Sequence, residues 1–389
     1  MTPPLPGAGP VPPDTKDWTW VLDRPCEECG YDASTIGVAD LPHRIRANAV
    51  VWLALMGDPE VAVRSRPEVW SPLEYACHVH DVHQVFHERL TAMMVEHEPQ
   101  FANWDQDETA VERRYADQVP SIVGPTLVAS AYAVADLYAS VPDDDWGRKG
   151  FRSDGAAFNI ASLGRYHLHD IEHHLHDVAY LADRITIESY DAHAEEYATG
   201  TSHLPDVVSG NITRFVDRVG SQGRVLEIGS GPGRDALELE RNGLSVRRTD
   251  VSPGFVRMLH AAGHIADQLD PLTDDLTDSR RDGAPYDGVW ANASLLHARR
   301  DALPVVLARL AEVTRSGGTL HLTLKEGDGE RWSVHGHVGA PRYFTFWREE
   351  PLLAHLAAAG WRVDDVLRGE SEPVDRPSET WLAVFATRV

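Results

Sequence analysis

Apolar residues recur at helical spacing through the first half of the chain, as far as about Asp183. Helices are expected over Leu41–Met56, Pro72–Glu96, Ile122–Val141 and Ser162–Asp183, four segments parted by Pro, Gly and Asp clusters. Four long amphipathic segments predict a bundle. From about Glu188 the pattern changes to short apolar runs alternating with helices, which predicts a parallel sheet with crossover helices. Strands are expected at Arg224–Ile228, Ser245–Thr249, Ala262–Ile265, Gly288–Ala291, Thr319–Lys325, Trp361–Leu367 and Thr380–Thr387. The fold class is therefore α + α/β: a Pro- and Gly-rich disordered tail over 1–16, a helical domain over 17–185 and a Rossmann-like domain over 186–389.

Composition narrows the partners. The net charge is -24, from 60 acidic against 36 basic residues, and phosphate contacts need cations, so nucleic acid and anionic membrane are disfavoured. Small-molecule or protein substrates remain. No apolar run approaches the ~18 residues of a membrane span, and Met1–Pro13 lacks the basic start and apolar centre of a signal peptide, so a cytoplasmic protein is expected. Three cysteines exclude a disulfide framework. Cys26 and Cys29 form a C-x-x-C, but a zinc ribbon needs a second ligand pair at similar spacing and none follows nearby. That pair reads as a turn with packing cysteines, or else as a redox or metal element.

The second half carries one dense motif. Glu227-Ile228-Gly229-Ser230-Gly231-Pro232-Gly233 follows the apolar Arg224-Val225-Leu226, and Asp250 ends the next strand. A strand feeding a glycine-rich turn lets backbone approach a nucleotide, and an acid at the next strand end suits ribose hydroxyls. The glycines run G-x-G-x-G. A dinucleotide fold needs its third glycine one position later, and here that position is Arg234.

These residues resemble motif I of the class I S-adenosylmethionine-dependent methyltransferases, whose sheet also has seven strands. The resemblance implies a cofactor loop of Gly229, Ser230, Gly231 and Gly233 oriented by Glu227, with Asp250 on the ribose and Val251 beside it. It implies an acid of the Leu269–Asp275 loop, taken as Asp274, on the adenine amino group. Tyr286–His297 resembles motif IV, with Asn292 and Ala293 facing the reactive methyl. Tyr190-Asp191-x-x-Ala194-x-x-Tyr197 resembles the helix that lids the cofactor, which adds Tyr190 and Tyr197. The Asn/Asp-Pro-Pro-aromatic clamp of enzymes that methylate nucleic-acid bases is not found at strand four, where the chain reads Asn292-Ala293-Ser294-Leu295.

Methyl transfer from a sulfonium is an in-line displacement, so the protein positions a nucleophile and removes its proton where needed. His297, just past strand four, and Glu326, just past strand five, are the candidate proton acceptors. Arg342 to Arg348 form the expected substrate loop, where Arg342 or Arg348 suits a carboxylate and Tyr343 or Trp347 suits an aromatic compound.

Histidine is concentrated in the first half: His78, His80, His83 and His87 on one expected helix, His167, His169, His173, His174 and His176 on another, from 20 in all. Residues at i and i+4 share a helix face, so His169 and His173 can bind one metal ion, as can His83 and His87. His78 falls among the apolar positions Tyr75, Val79, Val82, Phe86 and Met93, which makes it the inward ligand of its helix.

Trp70-Ser71-Pro72-Leu73-Glu74 with His78 and Asp81, and His169-x-x-x-His173, resemble the DinB-like family, which includes mycothiol-dependent maleylpyruvate isomerase-type proteins. The resemblance covers about residues 40–183. It implies a four-helix bundle in which His78, His169 and His173 hold a divalent metal, with zinc, nickel or iron suited to imidazole. Together the two resemblances imply a methyltransferase acting on a small molecule, fused to a metal-binding bundle. One alternative makes the bundle a metal-dependent thiol S-transferase or isomerase using a low-molecular-weight thiol, coupled to methylation in a bifunctional chain. The other makes it a non-catalytic binding or dimerisation module.

Overall fold

The computed structural model describes residues 11–13, 16–371 and 378–389. The expected disordered tail therefore lies largely outside the described residues. The chain divides after Leu181 into two compact units, earlier than the expected boundary after residue 185, because residues 182–192 form one continuous helix.

The first unit contains α1 (Leu41–Leu55), α2 (Pro72–Val95), the short α3 (Gln106–Glu112), α4 (Pro120–Ala139) and α5 (Ile160–Asp177). Helix α2 starts on a capping box: Glu74 N–H donates to Ser71 Oγ at 3.3 Å and Ser71 N–H donates to Glu74 Oε2 at 2.8 Å. Asn159 and Ser162 cap α5 in the same reciprocal way, at 2.7 and 2.9 Å. Helix α4 is the one described helix long and apolar enough to cross a membrane. Its Leu127, Ala131, Val134 and Tyr138 are nevertheless buried, and it packs against α1 and α2 as a bundle core helix.

Helix α5 stops at Asp177 instead of running on to Asp183. The buried Val178 turns the chain, its N–H bonding back to the His176 carbonyl. A small sheet of β1 (Gln100–Phe101), β2 (Lys149–Arg152) and β3 (Ala157–Asn159) was not expected, since strands this short show no periodicity. The N-terminal segment, with 3-10 turns at Trp18–Leu22 and Ala33–Thr35, packs on α5. Helix α5 therefore buries two faces, and both Leu168 and His169 lie inside.

The second unit begins with α6 (Ala182–Ala192), α7 (Ala194–Gly200) and α8 (Asp206–Val219), then alternates β4 (Arg224–Ile228), α9 (Arg234–Arg241), β5 (Ser245–Asp250), α10 (Pro253–Ala261), β6 (Ala266–Gln268) and β7 (Tyr286–Ala291). It continues with α11 (Leu303–Glu312), β8 (Thr314–Glu326), β9 (Glu330–Ser333), β10 (Arg342–Trp347), α12 (Glu349–Ala358), β11 (Trp361–Ser371) and β12 (Glu379–Arg388). The sheet order is β11-β12-β8-β7-β4-β5-β6. Strands from β8 to β6 are parallel; β12 runs antiparallel to β8 and to β11.

Two expectations are corrected. The third strand lies at 266–268 and not 262–265, because Gly263 ends α10, with the His264 N–H returning to the Leu259 carbonyl at 2.9 Å. The segment expected as a substrate loop is strand β10, buried along its whole length, pairing with β8 and β9. Its apolar run is that of a two-sided interior strand.

Candidate functional site

A cavity of about 170 Å³ is bordered by residues at the carboxyl ends of β4, β5 and β7, where an open α/β sheet switches direction and ligands bind. The chain leaves β4 through Gly229 (φ +73°) and Gly231 (φ +51°). A Cβ on Gly229 would lie 2.4 Å from the Cβ of Ser294. One on Gly231 would meet only Tyr197 Cε1, at 3.9 Å, and would occupy the cavity. Gly233 faces away, with Leu259 Cδ2 2.6 Å from where its Cβ would be.

Asp250 stands on the cavity wall beside Val251. Its Oδ2 accepts from Gly231 N–H and its Oδ1 from Ser252 N–H, both at 2.8 Å. Burial pushes the carboxyl up to about 6 and these backbone bonds pull it down. An ionised carboxylate still has lone pairs for two ribose hydroxyls. Tyr190 and Tyr197 also line the cavity, and with Phe255 they form an aromatic wall whose ring centroids are 5.4 to 6.0 Å apart. Helix α6, which carries Tyr190, is tied to β10 by Tyr343 N–H donating to Thr186 Oγ1 at 2.9 Å.

Glu227 and Ser230 lie beneath the loop and do not line the cavity. The Ser230 hydroxyl donates to the Glu227 carboxylate and accepts from Thr249 N–H at 3.1 Å, which locks β4 to β5. Burial pushes Glu227 up to about 8, and its bond to Ser230 makes it part of the scaffold under the loop. Asn292 is turned inward as well, donating to Asp235 at 2.7 Å and accepting from Thr323 at 2.9 Å. Ala293 does reach the cavity, held in left-handed backbone at φ +51°.

Asp274 is exposed, and its carboxylate accepts from Asp270 N–H at 2.8 Å. It closes its own loop, and the acid of the 269–275 loop that lines the cavity is Asp270. Spacing alone does not separate the two.

His297 borders the cavity, but not as a free base. Its Nδ1 lies 2.6 Å from the Tyr343 carbonyl and its Nε2 3.0 Å from the Tyr190 hydroxyl. Glu326 does not line the cavity and pairs instead with Arg368, at 3.1 and 3.3 Å. The expected substrate residues are likewise committed: Arg342 bonds the carbonyls of His335 and Val338, Arg348 pairs with Asp328, and Tyr343 and Trp347 are core.

In the first unit the expected trio His78, His169 and His173 does not converge. Neighbouring residues on a helix point ~100° apart, so α5 serves two places. His169 and His173 turn towards Cys26 and Cys29, whereas Asp170 and His174, one position on, turn towards His78 of α2.

His78 is wholly buried, and neither ring nitrogen makes a well-formed hydrogen bond. Its Nε2 lies 3.4 Å from Asp170 Oδ1, which is 3.5 Å from His174 Nε2. The other nitrogen of His174 meets Asp177 at 2.9 Å, the carboxylate support common behind metal-bound imidazoles. Two imidazoles and a carboxylate, with both His78 nitrogens and Asp170 Oδ1 buried and without a hydrogen bond, fit a divalent cation.

Trp104 stacks on His78 with centroids 5.4 Å apart. A cavity of about 260 Å³ touches Asp170, His174, His169 and His173. His83 belongs elsewhere: it is buried against His167, Nδ1 to Nε2 at 3.0 Å. Asp170 and His174 share the i,i+4 spacing of the expected pair, and that spacing is the signal that was present for them.

A family model described as a methyltransferase domain matches residues 225–318, and one described as the DinB superfamily matches residues 43–178. No curated protein matches the chain. Similar solved structures include the 1,6-didemethyltoxoflavin-N1-methyltransferase of Burkholderia thailandensis with bound 1,6-didemethyltoxoflavin and S-adenosylhomocysteine, at 21% identity over 55% of this chain and 90% of that one, with a TM-score of 0.42. A SAM-dependent methyltransferase of Methanosarcina mazei shows 14% identity over 48% and 98%, with a TM-score of 0.40. The CcbJ methyltransferase from Streptomyces caelestis shows 17% identity over 48% and 92%, with a TM-score of 0.37. The chain carries a helical DinB-superfamily domain followed by an α/β methyltransferase domain.

Proposed function

We propose that this protein is a cytoplasmic S-adenosylmethionine-dependent methyltransferase acting on a small molecule. One observation carries the reading: the cavity at the ends of β4 and β5 has Gly231 backbone on one wall and the Asp250 carboxylate beside it. When bound, the cofactor supplies an electrophilic methyl group on a sulfonium. Gly231 leaves room for it, and Asp250 accepts from ribose hydroxyls. Tyr190, Tyr197 and Phe255 exclude water and offer π faces that favour a cation. The Tyr190 hydroxyl, held by His297, keeps a proton at the cavity wall.

Full-length protein incubated with methyl-labelled S-adenosylmethionine and a metabolite extract tests the proposal. Label in a low-molecular-weight product is expected, and label confined to protein or nucleic acid would overturn the substrate class.

A second reading, a metal-dependent thiol transferase in the helical domain, is favoured by the cavity beside Asp170 and His174. A cation held by His78, Asp170 and His174 would lower the pKa of a thiol and so supply thiolate at neutral pH. Chelation that leaves all turnover intact would instead make that domain a structural or binding module.

A further inference from the structure

We infer that Cys26, Cys29, His169 and His173 form a second metal site, a closed four-ligand zinc centre that pins the N-terminal segment to α5. The four ligand atoms all lie within 4.8 Å of one another. Zinc bonds of ~2.3 Å to sulfur and ~2.0 Å to nitrogen set tetrahedral edges of roughly 3.3–3.8 Å, so a small contraction completes the site. One edge is already there, with Cys26 Sγ 3.7 Å from His173 Nδ1.

The loop is built for it. Gly30 N–H donates to the Cys26 carbonyl at 2.9 Å and Cys26 N–H to the Tyr31 carbonyl at 2.8 Å. This tight turn, with Gly30 at φ +75°, brings the two sulfurs of the C-x-x-C to one side, and the cysteines are unbridged. The second ligand pair comes from far along the chain, on a helix at i,i+4, which is why no nearby pair is found in the sequence.

The imidazoles are prepared in the same sense. His169 Nε2 is buried without a partner. His173 presents Nδ1 to the thiols while its Nε2 faces Glu28 at 3.5 Å and Asp177 at 3.8 Å, so carboxylates orient the ring from behind. Trp18 packs 4.8 Å from His173 and 5.5 Å from His169, centroid to centroid, and Tyr31 5.3 Å from His169.

Two thiolates and two imidazoles select zinc over hard cations. Each thiol loses its proton as its Zn–S bond forms, and the resulting pair of negative charges neutralises the ion. With all four positions filled by protein, the centre is structural. It holds the stretch of α5 that also carries Asp170 and His174, yet it stands independently of any function for that trio.

Full-length protein, purified without added metal, is the material for the test. X-ray absorption at the zinc edge should show a mixed sulfur and nitrogen shell, with Zn–S near ~2.3 Å. Elemental analysis should show that Cys26→Ser with Cys29→Ser removes about one zinc per chain, whereas His78→Ala leaves that zinc in place. A zinc shell without sulfur, or a Cys26–Cys29 disulfide with no zinc in the wild-type protein, would overturn the inference. The absorption measurement uses the unaltered chain and holds even if the cysteine variants fail to fold.

Discussion

The Tyr190 hydroxyl lies 3.0 Å from His297 Nε2, while Nδ1 of the same ring lies 2.6 Å from the Tyr343 carbonyl oxygen. A carbonyl only accepts, so Nδ1 carries the proton and Nε2 receives the Tyr190 O–H. Burial, the largest effect, lowers His297 to about 3, which replaces the expectation of a base poised near neutrality. His297 becomes a positioning residue for Tyr190.

The first prediction concerns pH. A histidine depressed in the folded state contributes stability above its unfolded value of ~6.5, and that stability is lost as pH falls towards about 3. Histidine NMR should show His297 unprotonated from pH 8 to 5. A resonance of His297 titrating near 6.5 would contradict the hydrogen-bond assignment.

Gly231 makes the second. Valine there must adopt the left-handed backbone at φ +51°, at a cost of roughly 1–2 kcal/mol, and it fills the cavity. Calorimetry of the full chain should show S-adenosylhomocysteine affinity reduced at least ~100-fold in Gly231→Val. Gly210→Ala, on α8 with open space around it, should bind as the wild type does.

The third separates the buried histidines. Among the described residues His83 and His167 bond only each other through ring nitrogens, and His83 is drawn well below its ordinary value by burial and then by its neighbour. His83→Ala should cost ~2–4 kcal/mol in urea unfolding, through a cavity and an orphaned His167 nitrogen. Its metal content per folded chain should stay unchanged. Asp170→Asn and His174→Ala should lower metal content, and the reverse ranking would move the site to His83.

Glu326 yields the fourth. Its partner Arg368 is half exposed, so Glu326→Gln should change stability by less than about 1 kcal/mol. Methyl transfer should hold within a factor of ~2. A loss beyond ~100-fold would return Glu326 to the catalytic role its strand-end position suggested.

The glycine turn and Asp250 were legible because their chemistry is local: a strand, a tight turn and an acid one strand on. The bundle helices and the strands β4, β5, β7 and β8 were legible because periodicity and run length report burial directly. Asp274, Asn292 and Glu326 do not line the cavity, for one reason. A strand end says where a side chain starts, and its hydrogen-bond partners decide where it points. Each of the three is held by its partners: Asp274 by Asp270 N–H within its own loop, Asn292 by Asp235 and Thr323, and Glu326 by Arg368.

The sequence by itself determined that two units follow one another, that the second has a cofactor-type turn, and that α5 is dense in ligand-type side chains. Only the tertiary structure decided which ligands meet. His169 and Asp170 are neighbours in sequence, yet ~100° of helical rotation sends one to Cys26 and Cys29 and the other to His78. The face of α5 that the N-terminal segment covers depends on packing across more than a hundred residues, which no local spacing encodes.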